Sequence, residues 1–127
     1  DQNERGLNIR FTHEDGRATA TFTPSEEFEG YRGILHGGIL STLLDEVMIH
    51  AILSRGILTF TTRIEVRFKK PAHVGRKLFL EGTVTRMKRK IIEARGQITD
   101  ETGTLIAEAS GCFYRTESPM KSRRHDP

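Results

Sequence analysis

The residues that could carry out chemistry lie in one short segment, from Gly33 to Glu46. It holds a His-Gly-Gly at residues 36–38, at the start of an apolar run, and an aspartate, Asp45, nine residues after the histidine. Adjacent glycines expose backbone N–H groups, and the N-terminus of a helix attracts negative charge. A carboxylate two turns further on has no evident structural partner. The segment therefore predicts an oxyanion-binding turn followed by an acid or base on the same helix.

Asp45 is the carboxylate that this pattern favours. Met48 and Ile49 lie one turn away, and no cation stands three or four residues from Asp45. Apolar neighbours remove water from a carboxylate and raise its basicity. The alternative acid is Glu46, which stands about 100° further round the helix and one turn before His50, a spacing typical of a solvent-side pair.

The other polar groups allow several roles. His36 is either a turn histidine bonded to the backbone or a ligand contact, and the two roles are compatible. Ser41 lies one turn before Asp45 but has no histidine to complete a serine triad, so it is a small helix residue or a ligand contact. The remaining histidines lack the spacing of a metal site, and Cys112 is the single cysteine. We expect no metal ion.

Length and composition limit the class of protein. The 127 residues suffice for one domain, here predicted as residues 1–118 with a flexible tail at 119–127. No apolar run approaches the roughly 20 residues that a membrane span needs, and the first residues show no signal-peptide core. One cysteine excludes an internal disulfide and fits a reducing compartment, so a cytoplasmic protein is expected.

Basic residues cluster although the net charge is only +3. They form either solvated surface or an anion site for a phosphorylated ligand. Nucleic acid is disfavoured because aromatic residues make up 7% of the chain and tryptophan is absent. Outside the tail the clustered cations are Lys69, Lys70, Arg86, Lys88, Arg89 and Lys90.

Hydrophobic periodicity predicts one long helix at residues 39–53. Leu40, Leu44, Val47 and Ala51 form an apolar stripe, and further apolar residues cover most of the circumference. The helix should therefore be buried on most sides. An Arg-Gly at residues 55–56 supplies its C-terminal stop.

Alternating patterns predict antiparallel strands around that helix. Pro24 to Gly33 is rich in turn residues and is predicted as a loop. The fold class is α+β, in which a curved sheet of five to six strands wraps one central helix. The predicted strands are residues 8–11 and 17–23, joined by a turn at 13–16, and then residues 59–68, 77–87, 91–99 and 104–114.

Three sequence segments together resemble those of a known protein family. Gly33 to Gly38, the Leu-Leu-Asp-Glu at 43–46 and the Arg-Phe-Lys-Lys-Pro-Ala-His-Val-Gly at 67–75 resemble the hotdog-fold acyl-CoA thioesterases of the PaaI-like type, in the 4-hydroxybenzoyl-CoA thioesterase superfamily. The resemblance covers roughly residues 26–115. It implies a homodimer or homotetramer, with active sites at the dimer interface and no cofactor beyond the coenzyme A of the substrate.

The resemblance also implies roles for individual residues. The Gly37 N–H would polarise the thioester carbonyl, and Asp45 of the partner subunit would be general base or nucleophile. His36 would hold the turn and contact the ligand. Thr61 matches a position that orients the attacking water, with Thr59 and Thr62 as competitors if the strand register shifts.

Further positions complete the predicted site. Some relatives carry Asn or Gln where this chain has Gly30, so that polar partner is absent here. The basic residues would lie on neighbouring strands or on the turn between them, and would meet the phosphates of CoA. The predicted substrate-binding residues are Gly38, Ser41, Glu46, Thr62, Lys69, Lys70, Arg86, Lys88, Arg89 and Lys90.

The predicted function is hydrolysis of an acyl-CoA to a carboxylic acid and CoA. The alternative is a non-catalytic acyl-CoA-binding or sensing protein on the same fold, against which the acid at position 45 argues. A hotdog dehydratase is a third option, but the hydration motif it requires is not found. The acyl group is left open.

Overall fold

The computed structural model describes residues 9–116, so the predicted tail and Asn8 lie outside the described residues. Within this range one long helix packs against a curved antiparallel sheet, as predicted. The elements are β1 (Thr12–Glu14), β2 (Arg17–Phe22), a 3-10 turn (Glu26–Phe28), β3 (Glu29–Tyr31), β4 (Ile34–Leu35), α1 (Gly37–Leu53), β5 (Thr59–Phe68), β6 (Leu78–Met87), β7 (Ile91–Asp100) and β8 (Leu105–Arg115).

Six strands form the main sheet in the order β1-β2-β6-β7-β8-β5, and every neighbouring pair is antiparallel. β5 is therefore an edge strand that pairs only with β8, although it directly follows the helix in sequence. β3 and β4 form a separate small hairpin. Burial alternates along β6 and β7, so one face of the sheet packs on the helix while the other is exposed.

Helix α1 is buried on most sides, which confirms the prediction from its periodicity. The predicted stripe at Leu40, Leu44, Val47 and Ala51 is buried. The helix begins at Gly37, two residues earlier than predicted, because His36 caps its N-terminus. The chain leaves the helix through Gly56, whose φ of 76° is in the left-handed region that glycine favours.

Three glycines on adjacent strands let the helix approach the sheet closely. A Cβ at Gly82 would overlap the carbonyl oxygen of Val47. A Cβ at Gly96 would stand 3.2 Å from the Met48 side chain, and one at Gly111 would stand 3.3 Å from Met48 Cε. Glycine inside a strand commonly marks such a close backbone approach.

The structure corrects the sequence prediction in two places before the helix. β1 occupies Thr12–Glu14 rather than residues 8–11, because the Asp-Gly turn at 15–16 has only two residues and pairs Glu14 directly with Arg17. The predicted loop at 24–33 contains the 3-10 turn and β3.

β5 contains a bulge that changes which residues face the helix. Its pairing with β8 skips a residue between Thr61 and Arg63. Before the bulge Thr59 and Thr61 are partly buried, and after it Ile64 and Val66 are. Because of the extra residue, the odd-numbered residues before the bulge and the even-numbered residues after it lie on the same face of β5.

The glycine contact gives a first prediction. Gly82→Ala should lower the free energy of unfolding by at least about 1–3 kcal/mol, because the added methyl group would meet backbone rather than a movable side chain. Thermal or urea unfolding measures this. The control is Thr83→Ala on the exposed neighbour, expected to stay within the ~1 kcal/mol span of strand propensity. Equal effects of the two substitutions would contradict the close-packing interpretation.

Candidate active site

The start of α1 leaves one backbone donor free. The Gly38 N–H donates to His36 Nδ1 at 3.1 Å, and the Ile39 N–H donates to the His36 carbonyl at 3.0 Å. Within residues 9–116 the Gly37 N–H has no acceptor, and Gly37 is exposed. His36 thus holds the turn, as one of its two predicted roles requires, and Gly37 presents an unpaired N–H at the positive end of the helix dipole.

An aromatic side chain stands beside that donor. A Cβ at Gly37 would lie 3.9 Å from the ring of Phe68, at the end of β5. Phe68 is 55% exposed although it lies on the face of β5 that is turned to the helix. The residue that carries the free N–H therefore lies beside an exposed aromatic ring.

Asp45 and Thr61 meet where the helix crosses β5. The Thr61 Oγ1 donates a hydrogen bond to Asp45 Oδ1 at 2.8 Å. Asp45 is half-buried, and this burial raises the pKa of its carboxyl above the ordinary value, while the bond from Thr61 lowers it. Burial has the larger effect, so Asp45 is a carboxylate of increased basicity with one oxygen held in place.

The bulge in β5 settles which threonine faces Asp45. Thr62 is the extra residue, and its hydroxyl donates to the Cys112 carbonyl of β8 at 2.9 Å. The Thr59 hydroxyl oxygen is buried and has no partner within the described residues. Of the three candidates, only Thr61 contacts the carboxylate.

Glu46 belongs to a different cluster. Its carboxylate is 4.0 Å from His50 Nε2, as the spacing predicted. The His50 ring stacks on Phe11 and its Nδ1 is 2.9 Å from His13 Nε2. Burial and the neighbouring His13 lower the pKa of His50. Through His50, Glu46 is therefore linked to His13 of β1, whereas Asp45 is the helix carboxylate that Thr61 contacts.

The two chemical groups on the helix are too far apart to act together within one chain. Eight residues separate Gly37 from Asp45, which is about 12 Å along the helix axis. Ser41 lies between them and is half-buried. Within one chain the Gly37 N–H and the Asp45 carboxylate therefore do not reach the same carbonyl group.

The structure contradicts the prediction that the six basic residues lie on neighbouring strands. β5 and β6 are separated in the sheet by β7 and β8. The Lys69 and Lys70 N–H groups bond to Ile106 at the start of β8, whereas the Lys90 carbonyl accepts from Arg115 at its end. Nine strand residues span about 30 Å, so the two basic groups mark opposite ends of the sheet. Lys69 and Lys70 lie at the Gly37 end, and Arg86, Lys88, Arg89 and Lys90 at the other.

Gly30 packs directly on the helix-capping residue. A Cβ at Gly30 would stand 3.1 Å from the Cα of His36. The Asn or Gln that some relatives carry there would therefore displace His36 in this chain. This contact could not be predicted from local patterns, because it depends on the small β3–β4 hairpin, which lies largely within the predicted loop.

Other features of the described residues bear on the site. No three His, Cys, Asp or Glu side chains in residues 9–116 are grouped so that they could hold a metal ion. No helix in that range has both the length and the hydropathy to cross a membrane. Depressions of about 360 and 350 Å³ lie on the sheet face away from the helix, and none of the residues that line them is His36, Gly37, Asp45 or Thr61.

Two curated relatives match most of the chain. A putative esterase of Saccharolobus solfataricus is 27% identical over 112 residues, which are 87% of this chain and 79% of the relative. The acyl-coenzyme A thioesterase THEM5 of Mus musculus is 26% identical over 116 residues, 91% of this chain and 47% of THEM5. The chain thus spans about half the length of that second relative.

Solved structures share the fold. The PaaI protein of E. coli from the phenylacetic acid degradation operon superposes with a TM-score of 0.85 at 21% identity, covering 90% of this chain and 83% of PaaI. A hypothetical thioesterase of Streptococcus pneumoniae, crystallised with coenzyme A, gives a TM-score of 0.84 at 22% identity, covering 89% and 92%. The family model of the thioesterase superfamily matches residues 32–107, more than half of the chain. With the hotdog fold of one long helix in a curved six-stranded sheet, this chain belongs to the thioesterase superfamily.

Proposed function

We propose that this protein hydrolyses an acyl-CoA to a carboxylic acid and CoA. The observation that carries the proposal is the half-buried Asp45 carboxylate, held by Thr61 at 2.8 Å, on the same helix that presents the free Gly37 N–H. The name of THEM5 and the coenzyme A bound to the S. pneumoniae protein support CoA thioesters as the substrate class.

Each group has a defined task in the proposed reaction. The thioester carbonyl oxygen becomes negative on attack, and the Gly37 N–H stabilises it. Asp45 takes a proton from water while the water oxygen bonds to the carbonyl carbon; alternatively its carboxylate attacks directly and water then cleaves the anhydride. The C–S bond breaks, and the CoA thiolate leaves and takes up a proton. Thr61 holds one Asp45 oxygen, so the other is directed at the reaction.

The proposed unit is a dimer joined through β5. Among the described residues this ten-residue strand pairs only with β8, so within residues 9–116 its other edge carries unpaired backbone donors and acceptors. Antiparallel pairing of two β5 strands would extend the sheet and bring the helix of each copy towards the edge of the other. An isologous contact of this kind creates two equivalent sites, each with one Gly37 and one Asp45.

Gly37→Pro tests the backbone donor because proline has no N–H. Proline is favoured at the first position of a helix, and His36 already has the extended ψ of 132° that a residue before proline adopts. The variant should keep its melting temperature and lose about 10²–10³-fold in kcat. Gly37→Ala keeps the N–H and meets Phe68 only at ordinary contact distance, so it is the matched control. A thiol-release assay in which both variants lose activity equally would argue against the donor role.

The pH profile tests the Asp45–Thr61 pair. Because the carboxylate is the active form and burial raises its pKa, kcat/KM should fall on the acid side at a pH above the ordinary carboxyl range. Thr61→Val removes the bond that lowers this pKa, so the acid limb should move to higher pH. Thr62→Val should leave it in place, since that hydroxyl bonds to Cys112. An unmoved limb in Thr61→Val, or a shift in Thr62→Val, would contradict the assignment.

Mixing two inactive variants tests the shared site. Asp45→Asn and Gly37→Pro should each be inactive alone, while Glu46→Gln stays active as the control acid. After co-refolding, half of the dimers are hybrids, and one of their two sites has both groups intact. About a quarter of wild-type activity should return. If native mass spectrometry shows hybrid dimers but activity does not recover, the two groups do not act across subunits.

A further inference from the structure

We propose that the turn between β3 and β4 binds the nucleotide end of the substrate. In this assignment the ring of Tyr31 stacks on the adenine and the guanidinium of Arg32 pairs with a CoA phosphate. The inference rests on the proposed acyl-CoA substrate and goes beyond it by locating the part of the molecule that is distant from the reacting bond.

The first supporting observation is an exposed aromatic residue with a free cation above it. Tyr31 is 67% exposed, the highest value among the large exposed hydrophobic residues in the described range. The Arg32 guanidinium lies 5.6 Å from the centre of its ring. No carboxylate within residues 9–116 pairs with Arg32. An aromatic face beside an unpaired guanidinium is suited to a base and its phosphate.

The second observation is backbone strain at this arginine. Arg32 has a φ of 40° and is the one non-glycine residue with positive φ among the described residues. Gly33 follows with a φ of 79°, so both turn residues are left-handed, as in a type I′ turn. Asn-Gly is the favoured pair for this turn, and a long side chain there is strained. Arginine thus stands at a position where asparagine would fit the backbone better, and this strain favours a use for its guanidinium.

The third observation is the anchoring of this turn next to Gly37. The His36 N–H donates to the Phe28 carbonyl at 3.0 Å, and the Leu35 N–H donates to Ala72 at 2.8 Å. The Val74 N–H donates to the Gly33 carbonyl at 2.9 Å. The hairpin is therefore fixed both to the helix cap and to the segment that follows Lys70. Four extended residues from Arg32 to His36 span at most about 13 Å, a separation that the pantetheine arm of CoA can bridge.

The charges at this end of the sheet fit a phosphorylated ligand. Lys70 has no ion-pair partner among residues 9–116, and Lys69 is 3.8 Å from Glu108. The carboxylate of Glu29 accepts the Gly33 N–H at 2.6 Å and is held by the turn itself. Glu26 and Glu27 line a depression with Val74, whose N–H bonds to Gly33, and within residues 9–116 neither forms an ion pair with Arg32. Within the described residues the turn therefore offers Arg32 as a cation without a carboxylate partner, and Lys70 follows the end of β5 as a second one.

Arg32→Asn is the decisive variant, because asparagine tolerates the left-handed turn while the charge is lost. The KM for an acyl-CoA should rise about tenfold with kcat unchanged, the effect of losing one charge-assisted contact. The KM for the same acyl group on pantetheine, which lacks the nucleotide, should not change. The melting temperature should be equal or higher. Tyr31→Leu should act in the same direction, and Arg10→Asn, on an exposed arginine outside the site, is the control.

Two results would overturn the inference. One is an unchanged KM for acyl-CoA in Arg32→Asn, or an equal rise for acyl-CoA and acyl-pantetheine. The other is a selective rise in Arg89→Asn instead, which would place the nucleotide at the opposite end of the sheet. If the wild type releases no thiol from any acyl-CoA, the proposed hydrolysis fails, and calorimetric binding of CoA then tests the turn alone. Equal affinities of wild type and Arg32→Asn for CoA would reject it.

Discussion

The close approach of α1 to the middle of the sheet is the constraint on which the other features depend. Gly82, Gly96 and Gly111 lie on three adjacent strands under the helix, where side chains would meet Val47 or Met48. Without Cβ atoms the strands can curve around the helix and bury most of its circumference. The same approach sets the depth of Asp45, which is half-buried and within reach of β5. The basicity of the carboxylate is thus a consequence of how closely helix and sheet pack.

Local patterns were sufficient for the helix and the four long strands, but not for β1, β3 or β4. Period 3.6 predicted the helix, and alternation predicted the four long strands to within one residue at each end. The position of Thr61 could not be obtained in this way, because Thr59 and Thr61 are in one phase of β5 and Ile64 and Val66 in the other. The pairing of β5 with β8 shows that a bulge at Thr62 places these four residues on one face. The signal in the sequence was the change of phase itself, which an unbroken strand cannot accommodate.

Sheet order explains why the basic residues were misplaced. Strands that follow one another in sequence usually pair as hairpins, and β6, β7 and β8 do so. β5 does not pair with β6, because it joins the far edge of the sheet beside β8. Lys69 and Lys70 therefore end beside the start of the helix, whereas the turn after β6 lies at the helix C-terminus, where Arg55 contacts Met87. The connection from β5 to β6 crosses between strands that are not neighbours, and tertiary packing rather than a local sequence pattern determines it. It also leaves β5 with the free edge through which two half-sites could be joined.

The energetics of Asp45 argue that its charge serves a purpose other than folding. Because burial raises its pKa, the folded chain binds a proton more tightly than the unfolded chain. Between the ordinary and the raised pKa the folded state holds more protons, so stability falls as pH rises through that interval. At neutral pH the ionised carboxylate therefore opposes folding, and the bond from Thr61 offsets only part of this effect. A neutral residue of similar size at position 45 would make the folded state more stable. The presence of an aspartate there instead fits the proposed site, in which a basic oxygen faces the Gly37 of another chain.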